Sequence, residues 1–352
     1  MKIDYWRSAH GNFGDDLNEW LWREMLPGVW DANDGIRFVG IGTVLDRALE
    51  TSQFTVIFGS GAGYAAPPRT LEDRRKCKVY GVRGPLSARA VHIAPELALT
   101  DPAILVAALP RFQNMARQGI VFVPHWKSVG IGNWPTVCDE AGVSYVDPRQ
   151  DSELVIGKIA SSALVLAESM HAAIIADALR VPWISVTTTP EFLAFKWADW
   201  AASLGMTVST YVLRPSSLQE SIRNQLLKLS QHRGIFVPMT SGDRDAVKID
   251  FGDFEELRRR SDETFHRHTQ GWRTYYTRAV DAFIKRVLKR TPQIHGLLHE
   301  NALGQMRTLS KMPGQLSEET RHRERLDATL AQLQVLHDDY QQGRLAALAQ
   351  GK

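Results

Sequence analysis

The sequence predicts an α/β protein with two Rossmann-like domains facing each other across a cleft, followed by an α-helical C-terminal extension. Three observations support this fold class. Short apolar runs alternate with helix-like runs over the first 110 residues, the alternation restarts after residue 110, and the chain becomes charged and helix-prone after residue 230. We therefore place the domains at residues 1–110 and 111–230 and the extension at 231–352.

The first domain begins with a short strand at residues 2–5 and a helix at 14–25, in which Leu17, Leu21 and Met25 recur at helical spacing. Residues 54–58 form a buried strand that ends in a glycine-rich turn. Residues 79–82 form another strand, after which Pro85 opens a helix. Short apolar strands separated by helices indicate a parallel sheet covered on both faces.

The second domain repeats this alternation, with the hinge expected near residues 109–118. Its predicted strands are residues 119–124, 143–146, 163–167 and 182–186, and its predicted helices are 134–141, 151–161, 170–179 and 216–229.

The extension is predicted to be helical at residues 255–289 and 318–348, with little core of its own. Leu326, Leu330, Leu333 and Leu336 form a stripe that could pack on the body or in an oligomer. Residues 255–290 carry ten basic and five acidic side chains, a net charge of +5. This segment is either a solvated helix face or a peripheral contact with an anionic membrane.

The composition restricts the class of protein further. A chain of 352 residues with 44% hydrophobic residues, 23% charged residues and two cysteines is neither disordered nor disulfide-rich. No apolar run approaches the roughly 20 residues of a membrane-spanning helix, and no signal peptide is recognisable. We expect a cytoplasmic protein, peripheral at the inner face of the membrane if the basic segment binds there.

Polar residues follow the first strand and the glycine-rich strand of the first domain. Asn12, Asp15 and Asp16 lie at the start of the first helix, where they either cap it or bind sugar hydroxyls and exchange a proton. Gly59, Ser60 and Gly61 form either a turn alone or a backbone surface for a ligand. The run lacks the third glycine of a dinucleotide fingerprint, and no P-loop motif occurs.

Two further strand ends carry charged residues. Arg83 precedes a helix start, a placement that suits phosphate or carboxylate binding, although a surface arginine is the ordinary alternative. Asp101 is either a second polar group of the acceptor site or a helix cap.

In the second domain, Ser169 and His171 join a strand to a helix, and His125 and Lys127 follow another strand. A histidine at a sheet edge can exchange protons near neutral pH. The two histidines are expected to face Arg83 and Asp101 across the cleft.

Four short motifs follow one another in this order: Asn12-x-Gly14-Asp15, Arg83-Gly84-Pro85-x-Ser87, Asp101-Pro102 and Ser169-Met170-His171. Their order and spacing resemble the polysaccharide pyruvyl transferase family over roughly residues 1–229. The resemblance implies a GT-B-like fold, phosphoenolpyruvate as donor, and as acceptor a sugar of a bacterial exopolysaccharide or capsule repeat unit, which we expect to be lipid-linked.

The resemblance also implies site residues. Arg83 would bind an anionic group of the donor, and His171 would be the catalytic histidine. Many members have arginine where this chain has Ser169, and glycine where it has Ala172. Lys127 or Lys196 is therefore considered as the second cation of the donor site.

Transfer of a pyruvyl ketal agrees with these residue types. The donor needs cations, its C3 must gain a proton, and sugar hydroxyls must lose protons. His171 is the expected acid or base, with Asp15 or Asp16 as partner and His125 as substitute. No metal and no cofactor besides the co-substrate phosphoenolpyruvate is expected.

Other functions remain open at the sequence level. The main alternative is a nucleotide-sugar-dependent glycosyltransferase of polysaccharide biosynthesis, because the same fold serves both reactions. A nucleic-acid partner is not expected, since no RNA- or DNA-binding motif occurs. The sequence does not determine the oligomeric state or which hydroxyls of the acceptor sugar react. It also does not decide whether the product is a ketal or an enolpyruvyl ether.

Overall fold

The protein contains two β-sheets with helices packed on them, as seen in a computed structural model that describes residues 1–30, 35–45, 53–63, 76–190, 192–229, 246–248 and 292–351. The first sheet has the order β1-β2-β3-β4, and all its pairings are parallel. Its strands are Lys2–Ile3, Arg37–Val39, Thr55–Phe58 and Cys77–Gly81. Helix α1 (Phe13–Met25) follows β1, and α2 (Pro85–Ala90) follows β4.

The second sheet has the order β10-β9-β8-β7-β5-β6, and only β10 is antiparallel to its neighbour. Its strands are β5 Ile120–Val123, β6 Ser144–Tyr145, β7 Leu164–Ala167, β8 Trp183–Thr187, β9 Ser209–Val212 and β10 Ala246–Lys248. Its helices are α3 Trp134–Ala141, α4 Ser152–Ala160, α5 Met170–Ala178, α6 Ala194–Ser203 and α7 Leu218–Leu229.

The apolar composition of the central elements explains their positions. Every residue of β3, β7 and β8 is buried, as expected for parallel strands covered on both faces. Helix α5 is likewise buried along its whole length and packs against a 3-10 helix at Pro102–Ala108. One hydrophobic cluster contains side chains of both sheets, so packing is continuous between them. The predicted mixture of strands and helices is confirmed, whereas the GT-B-like cleft stays a prediction.

The C-terminal helices contribute side chains to the cores of the two sheets. Helix α8 (Pro292–Leu309) contributes Leu303 and Met306 to the core of the second sheet. Helix α9 (Glu319–Gln341) contributes Leu333 and Leu336 to the cluster shared by both sheets, and Leu326 and Leu330 pack against it. The leucine stripe thus packs within the chain, as the first of the two alternatives predicted.

The predicted single helix at 318–348 is divided. Gly343, with φ at +71°, separates α9 from α10 (Arg344–Ala349). The basic segment at 255–290, with its predicted helix at 255–289, lies outside the described residues, so the membrane interpretation stays a prediction. Among the residues that are described, no helix is long and apolar enough to cross a membrane.

Candidate active site

The start of α1 contacts the start of α5, which brings two of the sequence motifs together. A Cβ atom added at Gly14 would lie 1.9 Å from Nδ1 of His171. Any larger residue at position 14 would therefore displace either the helix or the imidazole. Glycine in the first motif allows α1 to lie directly on the histidine of the fourth motif.

Asn12, Asp15 and Asp16 form a hydrogen-bonded turn at the start of α1. The Asn12 side chain does not cap the helix; its amide donates to the Asp15 carboxylate. The Asp16 carboxylate accepts from the Asn12 backbone N–H at 2.9 Å, so Asp16 holds the turn. Burial raises the pKa of Asp15 to about 7, against the opposing effect of Lys196. Asp15 can therefore exchange a proton near neutral pH.

His171 has a buried Nε2 atom with no hydrogen-bond partner among the described residues. Burial, with smaller effects of Lys196 and Arg83, lowers the pKa of His171 to about 3. The imidazole is consequently neutral in the ligand-free site at pH 7. An unpartnered buried polar atom is costly in a folded protein and is compatible with a catalytic role or with a bound water or ligand atom.

His125 follows β5 and is oriented by its own backbone turn. Its Nδ1 accepts from the Lys127 backbone N–H at 3.4 Å, which leaves the proton of the neutral ring on Nε2. Burial, Lys196 and Lys127 lower the pKa of His125 to about 3. His125 is therefore also neutral at pH 7 when the site is empty.

Glu168 connects the loops that follow three neighbouring strands. Its carboxylate accepts from the Thr188 backbone N–H at 2.7 Å, the Thr188 hydroxyl at 2.6 Å and the His125 backbone N–H at 2.9 Å. The residue is buried at the end of β7. Its role is to hold the ends of β5 and β8 in register beside the two histidines.

A pocket lies beside this cluster, and its cationic lining is its main chemical feature. Lys127, Lys196 and Arg223 line it together with His125 and Glu168. Met170, the first residue of α5, is also in the wall, so the positive end of that helix dipole lies at the pocket. Three basic side chains and a helix N-terminus suit a ligand with more than one negative charge.

Lys196 is central to the electrostatics of the site. Its charge lowers the pKa values of Asp15, Asp101, His125 and His171. It lies in the first turn of α6, a helix that the sequence analysis did not predict. Lys196 therefore links the acidic groups of the first sheet to the histidines of the second.

Asp101 has both a structural role and an unused oxygen. Its Oδ1 accepts from the Ala103 backbone N–H at 3.0 Å, which confirms the capping alternative. Its Oδ2 is buried without a hydrogen-bond partner among the described residues. Burial raises the pKa of Asp101 to about 6. The role in acceptor binding stays a prediction.

Arg83 occupies a different position from the predicted donor contact. Its side chain is 0% exposed and forms an ion pair with Asp199 at 3.1 Å. It also donates to the Thr43 hydroxyl at 2.7 Å and the Ala62 carbonyl at 2.8 Å. Asp199 in turn accepts from the Ser87 backbone N–H at 2.9 Å. The structure thus gives Arg83 a role in joining α6 to α2, in place of direct contact with a donor.

Gly59, Ser60 and Gly61 are also engaged in packing. A Cβ atom at Gly59 would lie 2.0 Å from Pro102, and one at Gly61 would lie 2.2 Å from the Arg83 guanidinium carbon. The Ser60 hydroxyl donates to the Gly42 carbonyl at 3.1 Å. Their backbone approaches protein atoms, so of the two interpretations of this run the structure favours the turn over the ligand surface.

Ser169 is buried at the N-cap of α5, and its hydroxyl does not cap the helix. Arg223 was missed because it lies within the amphipathic helix α7, where an arginine resembles any surface residue. Within the described ranges, no group of three or more His, Cys, Asp or Glu side chains could hold a metal ion.

Comparison with known proteins identifies the family. Residues 53–190 match the family described as polysaccharide pyruvyl transferase. Over 209 residues the chain is 49% identical to the succinoglycan biosynthesis protein ExoV of Rhizobium meliloti (strain 1021), an alignment that covers 59% of this chain and 66% of that protein. The chain belongs to the polysaccharide pyruvyl transferase family.

The family match covers only part of the candidate site described above. Lys127, Glu168 and both histidines lie within residues 53–190, whereas Asp15, Lys196 and Arg223 lie outside. No solved structure matches the chain. The positions of Asp15, Lys196 and Arg223 relative to the two histidines therefore rest on the structure of this protein.

Proposed function

We propose that the protein transfers the pyruvyl group of phosphoenolpyruvate to hydroxyls of a sugar in a bacterial exopolysaccharide repeat unit, forming a pyruvate ketal. The observation that carries this proposal is the pocket lined by Lys127, Lys196 and Arg223 together with His125, with Met170, the neighbour of His171, in its wall. Phosphoenolpyruvate has a carboxylate and a phosphate, and both groups need cationic partners. Family membership supports the reaction class.

The three basic residues of the pocket replace Arg83 in the proposed donor contact. Lys127 is exposed, Lys196 and Arg223 are half-buried, and all three line the same pocket. Arg83 is buried in its ion pair with Asp199, and its charge lowers the pKa values of Asp101 and His171. The arginine missing at Ser169 is thus compensated by side chains from other elements.

Donor binding supplies the charge that makes His171 an acid. In the empty site burial and neighbouring cations lower its pKa to about 3. An anionic donor offsets those cations and therefore shifts the pKa of His171 upward, against the larger lowering effect of burial. We assign it the proton delivered to C3 of phosphoenolpyruvate, with His125 as its neutral neighbour.

The reaction balances with residues of this site. Protonation of C3 makes C2 electrophilic, and a sugar hydroxyl attacks C2 while Asp15 accepts its proton. The bond between C2 and the phosphate oxygen then breaks and inorganic phosphate leaves. A second hydroxyl of the same sugar attacks C2 and gives its proton to the departing phosphate, which closes the ketal. The proton taken by Asp15 returns through solvent to His171 and restores the acid. The basic residues stabilise the departing phosphate.

The acceptor would lie on the side of the first sheet. Asn12 and Asp101 offer an amide and a buried carboxylate oxygen, groups that bind sugar hydroxyls. The name of the relative refers to succinoglycan biosynthesis, which makes a succinoglycan repeat unit the first acceptor to test. A lipid-linked acceptor and contact with an anionic membrane through residues 255–290 belong to this proposal.

Incubation with phosphoenolpyruvate and a panel of lipid-linked repeat units tests the proposal. We expect a pyruvyl mass increment on one acceptor and release of one phosphate per increment. Nucleoside diphosphate sugars, incubated in parallel, should give no glycosyl transfer. Glycosyl transfer without a pyruvyl increment would instead support the glycosyltransferase alternative. Absence of calorimetric binding of phosphoenolpyruvate would remove the proposed donor.

A further inference from the structure

Two partly exposed tryptophans meet beside the pocket. Trp6 lies in the loop between β1 and α1, and Trp126 directly follows His125. Their ring centroids are 5.3 Å apart with an interplanar angle of 40°. The Lys127 ammonium lies 5.6 Å from the Trp126 ring centre, and the His125 ring lies 5.9 Å from it. The pair thus adjoins residues of the pocket.

These two tryptophans differ from others in the protein. Trp22, Trp134 and Trp183 are fully buried, and the indole N–H of each donates to a protein oxygen. In the described part of the chain, neither Trp6 nor Trp126 has a hydrogen-bond partner for its indole N–H. Both therefore present an aromatic face and a free donor, which together match a ligand that has an apolar face and hydroxyl groups.

We propose that Trp6 and Trp126 form the subsite that binds the acceptor through the apolar C–H face of a neutral pyranose ring. This inference deepens the proposed function, since it assigns the acceptor to a surface next to the donor pocket. A ring packed on these indoles would have the pocket on the side of His125 and Lys127. Both indole N–H groups would donate to its hydroxyls.

The position of each tryptophan supports this assignment. The loop of Trp6 leads into Asn12 and Asp15, the expected hydroxyl-binding groups of the first sheet. Trp126 comes from the second sheet, next to a candidate proton-transfer residue. Trp6 and Trp126 therefore meet only when the two sheets keep the relative position that they have in this structure. The competing explanation is that the pair only holds the two loops together.

Saturation-transfer NMR on the full-length protein, without donor, separates these explanations. Methyl β-D-glucopyranoside and methyl β-D-galactopyranoside serve as probes. We expect ring-proton saturation with at least one glycoside, and a loss of about tenfold in affinity for Trp126→Ala and for Trp6→Ala. The Phe variants keep the ring face but lose the donor and should show an intermediate loss.

Trp30→Phe is the matched control, because Trp30 is a partly buried tryptophan that packs on Phe38 in the first sheet. It should leave the glycoside signal unchanged. Calorimetry with phosphoenolpyruvate should give the same affinity for both Ala variants as for the unmodified protein. If the unmodified protein binds a glycoside but does not bind phosphoenolpyruvate, the result would contradict the proposed function but not this subsite.

Two results would overturn the subsite. One is a glycoside signal that is the same in Trp126→Ala and the unmodified protein. The other is a lower melting temperature in the Ala variants with unchanged glycoside affinity and acceptor KM, which assigns the pair to loop packing alone.

Discussion

Replacement of Lys196 by methionine tests the electrostatic centre of the site. Methionine keeps an unbranched apolar chain and removes only the charge. Lys196 is half-buried in the pocket wall, and its charge acts on both histidines and on Asp15 and Asp101. Loss of one charge-assisted contact costs about 1.5 to 3 kcal/mol, which weakens phosphoenolpyruvate binding about 10- to 150-fold.

The same substitution should shift the pH dependence of the reaction in a defined direction. The Lys196 cation lowers the pKa of Asp15, which burial raises to about 7, and it also lowers the pKa of His171. Its removal raises both values, so the pH midpoints of kcat/KM should move upward by about one unit, equivalent to about 1.4 kcal/mol. Lys196→Arg keeps the charge and should keep the midpoints.

The assays are isothermal calorimetry with phosphoenolpyruvate and kcat/KM measured between pH 5 and pH 9. Lys158→Met is the control of equal charge change, since Lys158 lies on α4 and contacts Gln150 outside the pocket. An unchanged donor affinity together with an unchanged pH profile in Lys196→Met would refute the placement of Lys196 at the donor.

Three further predictions follow from the described contacts. His171→Gln should lower turnover about 10²- to 10⁴-fold with donor affinity in calorimetry nearly unchanged, and turnover within twofold of the unmodified protein would make the histidine structural. Asp15→Asn should raise the melting temperature more at pH 8 than at pH 5. The pKa of the Asp15 carboxyl is raised to about 7 in the folded protein, so the carboxyl destabilises the fold as pH rises through that value. An equal effect at both pH values would contradict this prediction. Arg83→Met leaves the Asp199 carboxylate buried without its cationic partner, so urea unfolding should show a loss of about 3 to 5 kcal/mol. Normal stability with weaker donor binding would restore Arg83 to the donor site.

Local sequence patterns were sufficient for elements whose own residues determine their structure. Helix α3 was predicted with its observed bounds, and α1 within one residue of its start, because apolar side chains recur at helical spacing. The short strand β2 was missed, since three residues carry too little pattern. Helix α6 was missed as well, although it positions Lys196 and Asp199.

The sequence by itself determined the family, through four motifs whose order along the chain does not depend on how the chain packs. It also placed Asp15 at the start of the first helix and the two histidines just after strands. Only the tertiary structure decided which charges line the pocket and which are buried in ion pairs. Arg83 looks like an anion-binding residue in its own segment, but Asp199, distant in sequence, accepts its hydrogen bond. Arg223 looks like an ordinary helix residue, yet it lines the pocket. The physical reason is that a charge acquires its role from partners brought near by the fold, and local spacing contains no information about those partners.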